Sequence, residues 1–297
     1  HTDATQIGIL ARLRPSPPVP PNRRVARPLC TTNRPDRSPV MSDTNEPAQP
    51  AVLTERRDRV LVIILNRPDA MNAINGDLSN GLWSAIQDLN CDPGLTAGVL
   101  TGAGRGFCAG MDLKAFSRGE DIGPMIKFIR AGSEKPLICA IEGFALAGGL
   151  ELALSCDLLV AARGAKLGIP EVGVGLLAAG AGLFRLPGRV GYGKAMEMAI
   201  TADPITAEEA AEHGLVARLA DPGSALQEAL SLAERIARNA PLAVAASKQL
   251  IRATQGSTEE ELWALQRPLQ ERVFASDDAK EGPLAFAEKR PPEWSGA

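Results

Sequence analysis

Histidine is nearly missing from this 297-residue chain: His1 and His213 are the only two. A Ser-His or Cys-His mechanism would have to rest on His213. That residue follows Glu212 in an alanine-rich stretch and precedes Gly214, which reads as the end of a helix before its glycine stop. The five cysteines, Cys30, Cys91, Cys108, Cys139 and Cys156, show no C-x-x-C spacing. Neither a disulfide framework nor a zinc site is written there, and an odd, scattered set fits a reducing, cytoplasmic compartment. No apolar run reaches the ~18 residues that would span a bilayer. Strong charge of either sign is lacking too. A formal net charge of -3 argues against nucleic acid or an anionic membrane as the main partner.

What remains is an ordinary globular composition, with 45% hydrophobic and 23% charged residues. Residues 1–40 differ from the rest. "RPSPPVPPNRRVARP" is rich in proline and arginine and poor in acids. It should not pack a core, so 1–51 is expected to be a disordered extension. Its arginines suggest a transit peptide, but its prolines oppose the amphipathic helix that import needs. "MSDTNEP" from Met41 reads as a cytosolic start, which favours an upstream extension.

From Asp58 strands and helices alternate. "RVLVIIL" (59–65), "TAGVLTG" (96–102), "PLICAIEG" (136–143) and "DLLVAAR" (157–163) read as strands. "DLSNGLWSAIQDL" (77–89) has Leu78, Leu82, Ile86 and Leu89 at helical spacing, and a buried helix is expected to open after residue 143. This order predicts an α/β core with mostly parallel strands. Past about residue 190 helices dominate: 205–214, 224–240, 241–255 and 258–275. The division is a core over 52–240 and a helical end over 241–297.

Two glycine-rich stretches approach phosphate loops and fall short. "GRVGYGKA" (188–195) puts Ala195 where the P-loop needs a hydroxyl for magnesium. "TGAGRGF" (101–107) puts Phe107 in place of the third glycine of the dinucleotide fingerprint. Both read as turns. "GFCAGMDL" (106–113) says more. Small residues at Ala109 and Gly110 leave backbone N–H groups open to a ligand, and Asp112 suits a helix N-cap. Gly148 and Gly149 likewise precede a buried helix, where free N–H groups face an anion. Two such donors from separate loops can form an oxyanion hole; close packing is the competing reading of the glycine pair.

Glu151 lies in an apolar helix, and Glu171 follows Gly168-Ile169-Pro170 in apolar surroundings. An unpaired buried charge is costly, so each acid must be paired, protonated or functional. Burial raises a carboxyl pKa toward neutrality, where proton transfer works best. A structural salt bridge to Arg163 or Lys166 is the alternative.

In order along the chain these segments resemble the enoyl-CoA hydratase/isomerase family, the crotonase superfamily, over roughly residues 52–290. "LNRPDAMNAI" (65–74) is similar to its first signature, and "GFCAGMDL" and "GFALAGGLELALSCD" (143–157) to the segments that supply its oxyanion hole. "LGIPEVGVGL" (167–176), "GKAMEMAITADPITAEEAAEHGLV" (193–216) and "FAEKRPPEW" (286–294) follow in the family's order. The resemblance implies a spiral of ββα turns, then helices that build a homotrimer or a dimer of trimers. It implies a substrate, an acyl-CoA thioester, whose oxygen sits between the amides of Ala109 and Gly148. Glu151 would activate a water and Glu171 deliver a proton. Coenzyme A contacts would come from Ala70, from Gly110, Met111, Asp112 and Leu113, and from Lys289 toward a neighbouring subunit. No metal or separate cofactor is implied.

One departure stands out. Many family hydratases carry "PGAGG" after the second acid, and this chain has "AAGAG" (178–182), with Ala179 where a glycine helps hold the water. Retention of both Glu151 and Glu171 favours a hydratase. The rivals are an isomerase or another acyl-CoA lyase of the family, and a CoA-binding scaffold without turnover.

Overall fold

The computed structural model describes residues 49–297. The expectation for 1–51 lies almost wholly outside them. The sequence VLVIIL of β2 (Val60–Leu65) has no exposed residue, as expected of a strand covered on both faces. It pairs antiparallel with β1 (Val52–Arg57) on one side. On the other it opens a parallel series: β3 (Ala97–Gly102), β4 (Leu137–Ile141), β6 (Leu158–Ala162) and β9 (Arg218–Ala220). A smaller sheet has the order β5 (Phe144–Leu146), β7 (Lys166–Gly168), β8 (Ile205–Thr206).

Helix α1 (Gly76–Cys91) is capped by the Asn75 side chain, which accepts from the Leu78 amide at 3.0 Å. Its four expected apolar positions are all buried. Next come α2 (Leu113–Ser117) and α3 (Gly123–Ala131). With α3, α1 fills one side of the large sheet. The opposite face takes the small residues of α9 (Ala225–Ala237), where Ala225, Ala229, Leu230 and Ala233 meet Val62, Val99, Ile138 and Val160. Full burial of both sheet faces supplies most of the stabilisation, at about 25 cal/mol per Å² of apolar surface.

Successive turns of the chain place one strand in each sheet: β4 then β5, followed by α4 (Gly148–Ala153), and β6 then β7, followed by a 3₁₀ turn at Pro170–Val174. This is the spiral of ββα turns that the resemblance implies. The expected helix after residue 143 begins later than that. Phe144–Leu146 form β5, because Cys108 on one side and Lys166–Gly168 on the other offer ladder partners. A short apolar run is ambiguous between strand and helix until its neighbours are known.

Short helices α5 (Gly182–Arg185) and α6 (Pro187–Val190) lead to α7 (Tyr192–Thr201) and α8 (Ala207–Glu212). The end of the chain holds α10 (Pro241–Ala253), α11 (Glu259–Phe274) and α12 (Asp278–Glu288). Neither α10 nor α11 buries a single residue. No helix among the described residues is long and apolar enough to cross a membrane.

Candidate active site

Four chain segments run side by side and end at one level. Ile74 bridges Met111, Cys108 bridges Ala145, and Phe144–Leu146 pair in parallel with Lys166–Gly168. The ends of parallel strands are where α/β folds present backbone groups to ligands. Here those ends are 109–111, 147–149 and 169–171, which brings together most of the residues singled out in the sequence.

The backbone amides decide the site. Ala109 was the expected donor in the first loop, but its N–H donates to the Met71 carbonyl at 3.1 Å. Gly110 donates to the Cys108 thiol at 3.4 Å. In the bridge to Ile74, the Ile74 amide takes the Gly110 carbonyl at 2.8 Å and the Asp112 amide takes the Ile74 carbonyl at 2.9 Å. That pattern turns the Met111 N–H away from its partner strand and leaves it without an acceptor among the described residues. The Ala109 N–H expected as the donor is therefore engaged within the fold, and the N–H left open in this loop is that of Met111.

Gly148 opens α4, so its N–H precedes the first intrahelical bond. Ala147 before it holds φ 51° and ψ -129°, a strained conformation for a residue with a Cβ. That sharp corner carries the chain from β5 into α4. Gly110 has φ +100°, and a Cβ on it would lie 3.2 Å from the Gly148 nitrogen and 2.7 Å from the Ala147 Cβ. Only glycine lets the two loops meet there. A Cβ on Gly148 would in turn lie 3.8 Å from the Met111 nitrogen. Two unpaired amides thus stand next to each other.

Behind the first loop lies a polar clamp that the sequence reading missed. Asn72 is fully buried. Its side chain accepts from the Arg67 amide at 2.9 Å and donates to the carbonyls of Ala103 and Gly106 at 2.9 and 3.0 Å. Its own carbonyl accepts from the Cys108 thiol at 3.1 Å. Burial pushes that thiol up to about 12, so it stays protonated and keeps donating. Arg67 reaches the Ala73 carbonyl and pairs with Asp112 at 3.1 Å. Asp112 caps α2 as expected, accepting from Lys114 and Ala115 at 3.1 Å each. Leu113 is exposed beside it, Ala70 sits on a 3₁₀ turn, and Lys289 ends α12 in a left-handed conformation.

Glu151 is 5% exposed. Neither Arg163 nor Lys166 pairs with it. Its Oε1 accepts from the Gly182 amide at 2.9 Å. Burial raises its carboxyl above the ordinary value, opposed by the amides of Gly182 and Gly180 and by the Arg185 charge. Glu171 is also raised, chiefly by burial, with its own amide opposing and the Glu151 charge adding to the rise. One of its oxygens, Oε2, is buried with no hydrogen-bond partner. The two acids therefore feel each other: Glu151 follows the strand end that carries the Gly148 amide, and Glu171 follows the end of β7 paired beside it. Such a site can stabilise negative charge on a carbonyl and move a proton on each side of it. The P-loop alternative fails on a further count: Lys194 is held by Glu197 at 2.6 Å and Glu209 at 2.8 Å. Among the described residues no cluster of three or more His, Cys, Asp or Glu is placed to hold a metal ion.

Comparison with known proteins agrees with this geometry. A family model described as enoyl-CoA hydratase/isomerase matches residues 55–297. Enoyl-CoA hydratase EchA19 of Mycobacterium tuberculosis is 41% identical over 256 residues, covering 82% of this chain and 96% of that protein. Carnitinyl-CoA dehydratase of Proteus mirabilis is also 41% identical, over 254 residues, covering 81% and 96%. The crystal structure of enoyl-CoA hydratase EchA1 from Mycobacterium marinum superposes with a TM-score of 0.81 at 52% identity, covering 84% of this chain and all of that one.

Proposed function

This chain belongs to the enoyl-CoA hydratase/isomerase family, and from that premise we propose that it is an enoyl-CoA hydratase, adding water reversibly across the double bond of a trans-2-enoyl-CoA thioester. The observation that carries the reading is the pair of unpaired amides, Met111 and Gly148, beside two carboxyls raised by burial. The thioester oxygen accepts from both amides. As water attacks C3, charge moves onto that oxygen, and the amides hold it. Loss of one such donor typically costs on the order of 10²–10³ in rate.

The acids divide the proton work by environment. Glu151 is steadied as an anion by the Gly182 amide and Arg185, so it takes the proton from the attacking water. Glu171, facing the Glu151 charge with one oxygen unpaired, keeps its proton and delivers it to C2. The hydroxyl ends on C3, the new hydrogen on C2, and the proton gained by Glu151 returns to Glu171 through solvent exchange. Coenzyme A enters with the substrate along Ala70 and 110–113. Lys289 meets its phosphates from a neighbouring subunit.

The assembly is a homotrimer or a dimer of trimers in the cytoplasm. Its support is apolar surface that a single copy leaves in water: Val174, Phe184 and Ile200 near the site, and Ile251, Phe274 and Phe286 on the tail. The relative named carnitinyl-CoA dehydratase favours a second reading, a lyase acting on a 3-hydroxyacyl-CoA with a charged tail. A panel of 2-enoyl-CoAs of rising chain length, with carnitinyl-CoA assayed for dehydration, decides between them. Turnover of simple enoyl-CoAs supports the first reading; activity confined to carnitinyl-CoA supports the second; activity on neither overturns both.

A further inference from the structure

A cavity of about 600 Å³ opens at the far end of α4 from the amides, between residues 154–158, α6 and α10. Six residues of α-helix, ~9 Å, separate it from Gly148. Four cationic side chains line it, Arg185, Arg189, Lys248 and Arg252, against the single carboxylate of Asp157. Asp157 is paired with one of these cations: its Oδ2 binds Lys248 at 2.7 Å and accepts from the Leu137 amide at 2.8 Å. Arg185 has only neutral partners, the Ser155 hydroxyl at 2.8 Å and the Ile129 carbonyl at 2.5 Å. The side chains of Arg189 and Arg252 have no hydrogen bond or ion pair among the described residues. Arg252 is pressed so close to Gly132 that a Cβ there would overlap its guanidinium. Burial and the charges of Arg252 and Arg189 work against the Arg185 cation, and the Glu151 charge favours it.

Three guanidiniums around one cavity, with the Glu151 charge behind Arg185 and no paired carboxylate on Arg189 or Arg252, repel one another. Planar forks of this kind match the oxygens of phosphates and carboxylates. We propose that this cavity is a binding site for a free multivalent oxyanion, of the diphosphate class, held by Arg185, Arg189 and Arg252. The site is distinct from the amide pair and needs no acyl group. It is also wired to the reacting end of the molecule. The Ser155 hydroxyl that accepts from Arg185 donates to the Glu151 carbonyl at 2.8 Å, and Arg185 is the cation that steadies the Glu151 carboxylate. An anion bound there screens Arg185 and makes Glu151 easier to protonate.

The test is calorimetric titration of the full chain with inorganic pyrophosphate, with chloride at matched ionic strength as control. The expected result is one pyrophosphate per chain, a raised Tm, and affinity at least about tenfold weaker for Arg189→Gln/Arg252→Gln, since charge-assisted bonds are the strong ones. Without pyrophosphate the double variant melts no lower than the natural chain, because like charges have been removed. Equal binding by both proteins, or binding by neither, overturns the site. If the double variant changes the sedimentation coefficient and pyrophosphate binds neither protein, an acidic group of a second copy fills the cavity and the proposal is wrong. Should the double variant fail to fold, Arg252→Gln alone, on an exposed position, carries the same comparison. The link to Glu151 rests on its reading as the base: saturating pyrophosphate should move the acid limb of kcat to higher pH. A limb that stays put while pyrophosphate still binds sinks the link and spares the site.

Discussion

Glu151 and Glu171 reach the same site from two different kinds of structure. Glu151 sits on α4, among neighbours that are all buried, and its carboxylate is cradled by Gly180 and Gly182. Glu171 sits on a single 3₁₀ turn, and Val172, Val174, Leu176 and Leu177 after it are exposed. The first half of the site is finished within one chain. The second half has an unpaired buried oxygen and an apolar rim open to water. The rigid half fixes where the Glu151 carboxyl stands, and the other half is left open to solvent. The difference fits the proposed division of labour: amides and the Arg185 charge oppose the rise at Glu151, whereas at Glu171 the Glu151 charge adds to it.

The largest effect should come from removing either acid. Glu151→Gln and Glu171→Gln are each expected to lower kcat by about 10³, within the usual span for a general acid or base, with little change in CoA affinity. Steady-state hydration rates and a separate CoA titration measure the two quantities. A rate within a few-fold of the natural enzyme for either variant would break the pairing.

Next in size is the cradle itself. A Cβ on Gly180 would lie 2.5 Å from Glu151 Oε2, and one on Gly182 would lie 3.0 Å from Oε1. Gly180→Ala must push the carboxylate aside, with an expected loss of about 10² in kcat, the scale of a small misplacement. Gly182→Ala should cost less, about tenfold by the same argument. Equal losses, or a larger one at Gly182, would show that the cradle works through the backbone amides alone.

Stability should separate the acids as well, and here the sign matters. Both carboxyls have folded pKa values above their unfolded ones. Ionised, each therefore destabilises the fold; the penalty is absent below the unfolded carboxylate range and complete above the raised folded value. Glu171 has no partner on Oε2, so Glu171→Gln should stabilise the protein at pH 8 by roughly 1 kcal/mol, the low end of the cost of an unsatisfied buried group. The gain should vanish under acid conditions, where Glu171 is already neutral. Glu151→Gln should gain less, because the amides and Arg185 already offset its charge. Thermal melts of both variants across pH 4–8 check this.

How much of this was legible in the sequence follows from the range of the interactions. The α/β core, its helical end and the acids at 151 and 171 were readable, because each is a local anomaly or a local period. A lone carboxylate among "LAGGL" and "LALSC" needs no partner to be noticed. The sequence points to Ala109 as the donor amide because nothing local shows which N–H of 108–111 is engaged. That is set by residues 71–74, about 40 positions earlier, whose carbonyls claim Ala109 and Asp112. The sequence of β5 points to helix for the same reason: its ladder partners lie far along the chain. The Arg185, Arg189 and Arg252 cluster is invisible there, since only the fold brings α5, α6 and α10 to one cavity.

The smallest expected effect concerns Ala179, at the seam between the two halves. Its methyl stands where the family's hydratases often have glycine, one residue before Gly180. Ala179 is exposed and does not have a positive φ, so its backbone has no need of glycine. Ala179→Gly should therefore lose about 0.5–1 kcal/mol of stability through added freedom of the unfolded chain. The hydration rate should change by no more than about threefold, since no catalytic group is displaced and 1.4 kcal/mol would be needed for tenfold. A rise above tenfold, with Tm lowered as expected, would mean that the methyl occupies the place of the reacting water. The open half of the site, and not the Glu151 cradle, would then limit the enzyme.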